Sequence, residues 1–310
     1  MSVKILCVYH KPAPLLKNEV VVPVHAGRAL LGAQVRTGKI TEHDAQWMKE
    51  YLCGDDEGDN ISSLNPQLNE LTAVYWAWKN YQKLGNPDYI GLMHYRRQFW
   101  LKTDLSAPDY LAAIGCTENV VSHCMQGKNF ACVEFFDFQN GLTPLTHLPS
   151  TFSAKKRALE LLKRTDKQHA QEYDRLARQN RCGGMRNMFI FPREEFFAYC
   201  AWIFAVLLPL ERETHSKNRV AGLVGEMLTA LYFLRRGREP YLPLPIMDED
   251  ALREPTTVAE RYKMWRRILV HRLFPFFPLG ARYAQESQKR VARRFWKKEL
   301  QKFEQQMKTV

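Results

Sequence analysis

Residues 89–93, Tyr-Ile-Gly-Leu-Met, form an unbroken apolar run between the turn signal Gly85-Asn86-Pro87 and the polar group His94-Tyr95-Arg96-Arg97. A short run without polar alternation reads as a strand covered on both faces. Covering both faces takes helices, so the chain is expected to form a layered α/β domain. Val3–Tyr9 reads as the first strand, residues 20–24 as the second, and residues 130–138 and 188–191 as later ones. Helices are expected over 45–52, 65–83, 109–113, 154–180, 194–208 and 220–234. In the second of these, Asn65 is placed to cap and Pro66 to open the helix, with Leu68, Leu71, Tyr75 and Trp78 on its apolar face. Strands alternating with helices imply a mostly parallel central sheet. The expected division is one catalytic domain over 1–255 and a basic helical appendage over 256–310.

Composition narrows the class. With 310 residues, 45% of them apolar and 25% charged, the chain is neither fibrous nor disordered. The longest apolar stretch, 196–210, has 15 residues and contains Pro209. A spanning helix needs about 20, so this stretch reads as a buried core helix. The first residues, MSVKILCVYHKP, do not have the pattern of a secretory leader. Seven scattered cysteines without a CxxC pair read as reduced thiols, which points to the cytoplasm.

Charge is uneven. From Arg261 onward there are 14 Lys+Arg and 3 Asp+Glu, a net of +11; the remaining 31 and 30 give the first 260 residues a net of +1. A basic tail on a neutral body points to a polyanionic partner. Residues 261–282 interleave bases with Trp265, Ile268, Leu269, Leu273, Phe274, Phe276 and Phe277. Residues 282–307 read as a helix whose stripe is Ala292, Trp296, Leu300, Phe303 and Met307. Aromatic residues beside bases suit an anionic membrane surface. Docking on the body, or pairing with a second copy, is the competing reading of the stripe. No nucleic-acid motif is present.

Three segments carry candidate chemistry. His10 and Lys11 follow the first strand, and His94 to Arg97 follow the buried one; open α/β sheets bind ligands at such ends. Arginine forks match phosphate oxygens, so Arg96 and Arg97 suit a diphosphate, or else an ion pair with the acidic loop 55–59. That loop, with Asp59 and Asn60, is either a solvated turn or a grip for a divalent cation or sugar hydroxyls. Glu226, beside Gly222 and Gly225, is either a general base or a favourable helix-start carboxylate. There is no P-loop, HExxH or convincing GxGxxG motif.

The blocks GDNISSLNPQLNELTAVYWAWKN (58–80) and DYIGLMHYRRQF (88–99) resemble the hallmarks of a bacterial family from capsule and O-antigen gene clusters. That family, long filed as a domain of unknown function, is associated with galactofuranosyltransferases. VVVPVHAG (20–27), RNMFIF (186–191) and GLVGEML (222–228) match its weaker stations, and VYHKP differs from its usual Thr-His-Lys. The resemblance spans roughly residues 3–250 and implies a GT-A-like single Rossmann-type domain. It implies inverting transfer of galactofuranose from UDP-galactofuranose to a lipid-linked glycan, at the inner face of the cell membrane. The residues implied for the donor are His10, Lys11, Asn60, His94, Tyr95, Arg96, Arg97, Arg186 and Asn187. Glu226 is the first candidate for the base and Asp59 the second. Arginines at the strand end stand where many GT-A enzymes hold a metal, so Mg²⁺ or Mn²⁺ is allowed but not expected to be essential. The alternative function is a non-catalytic, membrane-associated scaffold for glycan assembly.

Overall fold

The computed structural model describes residues 1–133, 136–137, 149–178, 181–182, 185–214, 220–236, 239–244, 246–248, 252, 257–262, 265–266 and 285–310. The strands are β1 (Val3–Tyr9), β2 (Val21–His25), β3 (Cys53–Gly54), β4 (Tyr89–His94), β5 (Arg97–Phe99) and β6 (Phe130–Val133). They continue with β7 (Phe136–Asp137), β8 (Arg181–Cys182), β9 (Phe189–Pro192), β10 (Tyr241–Leu244) and β11 (Ile246–Asp248). The helices up to residue 125 are α1 (Leu31–Arg36), α2 (Glu42–Tyr51), α3 (Asn65–Leu68), α4 (Leu71–Lys79), α5 (Tyr110–Ala113) and α6 (Glu118–Met125). The later ones are α7 (Pro149–Thr165), α8 (Ala170–Arg178), α9 (Arg193–Thr214), α10 (Val220–Arg235) and α11 (Gln285–Thr309).

The main sheet has the order β10-β6-β9-β4-β1-β2-β3, with β5 and β11 attached beside β4. Its pairs are parallel except where β9 lies between β4 and β6, and where β5 turns back from β4 and pairs with β11. This is the mostly parallel α/β sheet expected from the alternation of elements. Side chains alternate across the strands, as the period of two requires. Leu6, Val8, Ile90 and Leu92 face a core completed by α4, α7, α9 and α10. Ile5, Cys7, Tyr9 and Met93 face a second core with α2, α5, α6 and α11. The strand 89–93 is therefore covered on both sides. The apolar run 196–210 lies in α9, within the first core. Among the described residues no helix is long and apolar enough to cross a membrane.

Two expected helices are interrupted. The one over 65–83 breaks at Asn69, whose φ is +53° and ψ −135°, and resumes at Leu71. Asn65 does not cap it: Asn65 is the first helical residue, and its Nδ2 donates to the Asn69 carbonyl (2.8 Å) and to Thr72 Oγ1 (3.2 Å). The helix over 154–180 breaks at Asp166. The Asp166 carboxylate there accepts from Tyr173 (2.6 Å) and Arg235 (3.1 Å), tying two helices together. Residues 134–135, 138 and 179–180 of the expected elements lie outside the described residues.

The stripe of α11 packs on the body except at Leu300, which is exposed. Ala292, Phe295 and Trp296 are buried. Trp296 lies 5.0 Å from Tyr110, and Phe303 meets Trp47 edge-on at 5.4 Å. Of the competing readings of this stripe, docking on the body is the arrangement present. Trp296→Ala is expected to lower the unfolding free energy by about 3–5 kcal/mol, read from urea denaturation. A helix hanging free of the body would leave that value unchanged.

Candidate active site

Parallel pairing of β1 and β4 puts their carboxyl ends on one rim. Because β9 runs the opposite way, with Phe189 opposite Leu92, the residues just before it reach the same rim. His94 Nε2 lies 2.7 Å from the Arg186 carbonyl. A carbonyl only accepts, so Nε2 carries the proton.

The basic group after β4 is a hairpin. Tyr95 and Arg96 make its turn and Arg97 returns opposite His94, leading into β5. Arg96 is exposed at the tip, its guanidinium 5.5 Å above the Tyr95 ring. Arg97 is half-buried and lies opposite Asp248 in the sheet register. Tyr95 stacks on Tyr9 at 5.0 Å, and its hydroxyl is 3.4 Å from His10 Nε2. Tyr9 is structural: its hydroxyl donates to the Pro14 carbonyl (2.8 Å) and accepts from Leu16 N–H (2.9 Å). It thereby pins the loop that carries the exposed His10 and Lys11.

Arg186 and Asn187 have φ of +72° and +51°. Left-handed backbone at non-glycine residues persists only where surroundings hold it. Asn187 Nδ2 donates to Glu70 Oε1 at 2.6 Å, and its Oδ1 accepts from Thr229 at 2.8 Å. The Thr229 hydroxyl is in turn 2.8 Å from that of Tyr199. The Arg186 N–H donates to Glu226 Oε2 at 3.3 Å. Glu226 is in the second turn of α10, not at a helix start, and both neighbouring glycines are helical. They are spacers. A Cβ on Gly222 would come within 2.0 Å of Asn69 Nδ2, and one on Gly225 within 2.4 Å of Leu71 Cδ1. The close approach of α10 to the α3–α4 break brings Glu226 near Glu70. Burial, and next the Glu70 charge, push the Glu226 carboxyl above the usual carboxylate range. The Arg186 N–H and the charges of Arg97 and Arg186 oppose that shift less strongly.

His10, Lys11, His94, Tyr95, Arg96, Arg97, Arg186, Asn187 and Glu226 thus sit around one rim. Asp59 and Asn60 hydrogen-bond elsewhere. Asp59 accepts from Tyr75 (3.2 Å), and Asn60 Nδ2 donates to the carbonyls of Asp56 and Gly58 (both 2.9 Å). Trp76 is buried in the core and Trp78 stacks on Phe204. Asp55 does not reach out to a cation. It is buried and accepts from Gly27 N–H, Arg28 N–H, Ser62 Oγ and Thr72 Oγ1. Glu70 and Thr229 escaped sequence reasoning. Glu70 lies inside what reads as one continuous helix, and only the tolerance of Asn69 for positive φ marks a break there.

This geometry stands beside two likenesses. The family described as a domain of unknown function (DUF4422) matches residues 4–237. The chain belongs to this family. The apo structure of WbbM, a bifunctional glycosyltransferase, superposes with a TM-score of 0.65 at 24% identity. The match covers 80% of this chain and 45% of that one, so the chain spans less than half of WbbM's length. The shared architecture is GT-A-like and Rossmann-type. No curated protein matches the chain. The matched span of this DUF4422 protein includes every rim residue and stops before α11.

His25, at the end of β2, is buried and held down to a pKa of about 3 by burial, then by Arg28 and His10. Its Nδ1 accepts from Arg28 Nε at 2.8 Å. The unfolded chain protonates this residue near pH 6.5, so the folded state loses stability as pH falls below that value. The loss attributable to this residue approaches about 1.4 kcal/mol per pH unit. His25→Asn, which keeps an acceptor for Arg28, is expected to lose less stability than the parent between pH 6.5 and 4.5 in urea denaturation.

Proposed function

We propose that this protein is a glycosyltransferase. It transfers a hexose, galactofuranose from UDP-galactofuranose, with inversion to a hydroxyl of a lipid-linked glycan. The observation that carries the reading is the rim itself: a carboxyl held above its usual range stands among guanidinium groups at the carboxyl ends of β1 and β4. Open α/β sheets bind nucleotides at such ends. WbbM, which shares the fold, is a glycosyltransferase, and the hallmark blocks resemble the galactofuranosyltransferase type.

In this mechanism the acceptor oxygen attacks the anomeric carbon as the bond from that carbon to the diphosphate oxygen breaks. Glu226 takes the hydroxyl proton, and UDP leaves with the bonding pair. Charge develops on the leaving diphosphate, where Arg96, Arg97 and Arg186 stabilise it. His10 and Lys11 extend the cationic rim, while Tyr95 orients His10. The strained Arg186-Asn187 backbone fixes the N–H that holds Glu226. Arg96, Arg97 and Arg186 are proposed to neutralise the diphosphate without an essential Mg²⁺ or Mn²⁺.

UDP release from UDP-galactofuranose with a galactoside acceptor tests the reading. Glu226→Gln is expected to lower kcat about 10²–10⁴-fold and Arg97→Ala about 10²–10³-fold, with folding intact by circular dichroism. Asp59→Asn is expected to retain activity. Near-normal turnover in both Glu226→Gln and Arg97→Ala overturns the assignment; loss in Asp59→Asn alone moves the base to Asp59.

A pH profile gives a separate check. Glu226 must be ionised to accept a proton, so kcat rises with pH through its raised pKa. Glu70→Gln keeps an acceptor for Asn187 but removes the like charge. The acid limb is therefore expected to move to lower pH; an unmoved limb excludes Glu226 as the group it reports.

A further inference from the structure

We propose that the helical turn beginning at Thr257 is a docking surface for an anionic lipid bilayer, with Val258, Tyr262 and Trp265 entering the interfacial layer. The apolar stripe of α11 is used inside the protein, against Tyr110 and Trp47. An apolar face free to meet a bilayer is therefore sought elsewhere in the tail, and the turn at 257 offers one.

That turn carries its own cap. Thr257 N–H donates to Glu260 Oε2 and Glu260 N–H donates to Thr257 Oγ1, both at 3.2 Å, a reciprocal capping box. Arg261 N–H then donates to the Thr257 carbonyl at 3.0 Å. Val258, Tyr262 and Trp265 recur at i, i+4 and i+7, the spacing of one helical face. They are 82%, 60% and 57% exposed. The two rings lie 6.3 Å apart. Other large exposed apolar side chains among the described residues, such as Met1, Leu105 and Phe197, are scattered along the chain. Here Val258 and Tyr262 stand one turn apart on one helix, and the Trp265 ring lies against that of Tyr262.

Charge complementarity selects the occupant. Arg261 and Arg266 are exposed beside this face. On α11, Arg294, Lys297, Lys298, Lys302 and Lys308 are exposed as well. Residues 261–310 carry a net of +11 and the rest of the chain +1. Tyrosine and tryptophan favour the boundary between water and acyl chains, and each nearby base adds attraction toward an anionic leaflet that salt weakens. A second copy of this chain would bring the same positive charge to the same face, which opposes pairing. Residues 267–284, with Phe274, Phe276 and Phe277, lie outside the described residues and enter no step of this inference.

The test is co-sedimentation of the full chain with vesicles. One set is phosphatidylcholine with a quarter phosphatidylglycerol; the other is phosphatidylcholine alone. The expected result is binding to the first, weak binding to the second, and loss of binding as salt rises. The double variant Tyr262→Ser/Trp265→Ser is expected to bind the anionic vesicles at least tenfold less, with an unchanged unfolding midpoint because both side chains are exposed. Unchanged binding by the double variant overturns the proposal, as does equal binding of the parent to both vesicle sets. A dimer in sedimentation equilibrium that the double variant abolishes assigns the face to a second copy instead. Binding to an RNA or DNA oligonucleotide in preference to the anionic vesicles assigns it to nucleic acid. These outcomes do not depend on transferase activity, so the surface and the catalytic reading fail separately.

Discussion

The buried carboxylate of Asp55 organises the edge from which the rim is built. A carboxylate in the interior is costly unless its lone pairs are used. Here two backbone N–H groups at Gly27 and Arg28 and two hydroxyls at Ser62 and Thr72 use them. The donors come from the end of β2, the turn before α3, and α4. One carboxylate thereby fixes where the acidic loop leaves the sheet and where α4 begins. Gly27 takes part because its φ is +80°, and a Cβ there would come within 2.7 Å of Asn65 Cγ. With α4 fixed, the break at Asn69 directs Glu70 toward Asn187. The position of Glu70, and through it the field around Glu226, follows in part from the bond that Thr72, two residues on, makes to Asp55.

The rim shows how a protein keeps a carboxyl above its usual range while surrounding it with arginines. Desolvation and the Glu70 charge raise it; the guanidinium groups lower it. Were the cations dominant, the carboxylate would be a weak base locked in ion pairs. The two glycines of α10 set this balance sterically. They let α10 approach the Asn69 break closely enough for Glu70 to act on Glu226, which no larger residue at either place allows without displacing Asn69 or Leu71. A carboxyl raised in this way suits the base that the proposed reaction needs.

Strand and helix order were legible because burial writes a period into the chain. The strands over 3–9 and 89–94 and the helix over 220–235 fall within a residue or two of the pattern. What periodicity did not carry was the interruption of helices. Asn69 and Asp166 are ordinary polar residues on a helical repeat: the break at Asn69 is held by side-chain bonds from Asn65 and Thr72 to its carbonyl, and the one at Asp166 by Tyr173 and the distant Arg235. The same limit governed the site. His94 to Arg97 were visible as a basic group after a buried strand, yet their hairpin geometry depends on pairing of β5 with β11, some 150 residues later. Glu226 stood out as an acid beside glycines, but the glycines act on helix packing rather than on ligand approach. Glu70 was silent because its role arises only when α10 and the residues before β9 come together around it.

The tail carries the same lesson into the membrane question. An amphipathic period shows that a face will be covered; it does not show by what. The stripe Ala292–Trp296–Phe303 has the spacing and the flanking bases of an interfacial helix, and Trp47, Tyr51 and Tyr110 offer a surface that fits it without a headgroup layer. Packing against a preformed aromatic surface gains burial at once, whereas an interfacial helix gains it only when a membrane is present. A segment whose apolar face remains exposed in the folded chain is therefore the better candidate for a lipid surface than one with a stronger period already satisfied. Val258, Tyr262 and Trp265 meet that condition, and in the proposed docking the bases that α11 leaves in solvent would supply the attraction that three side chains alone lack.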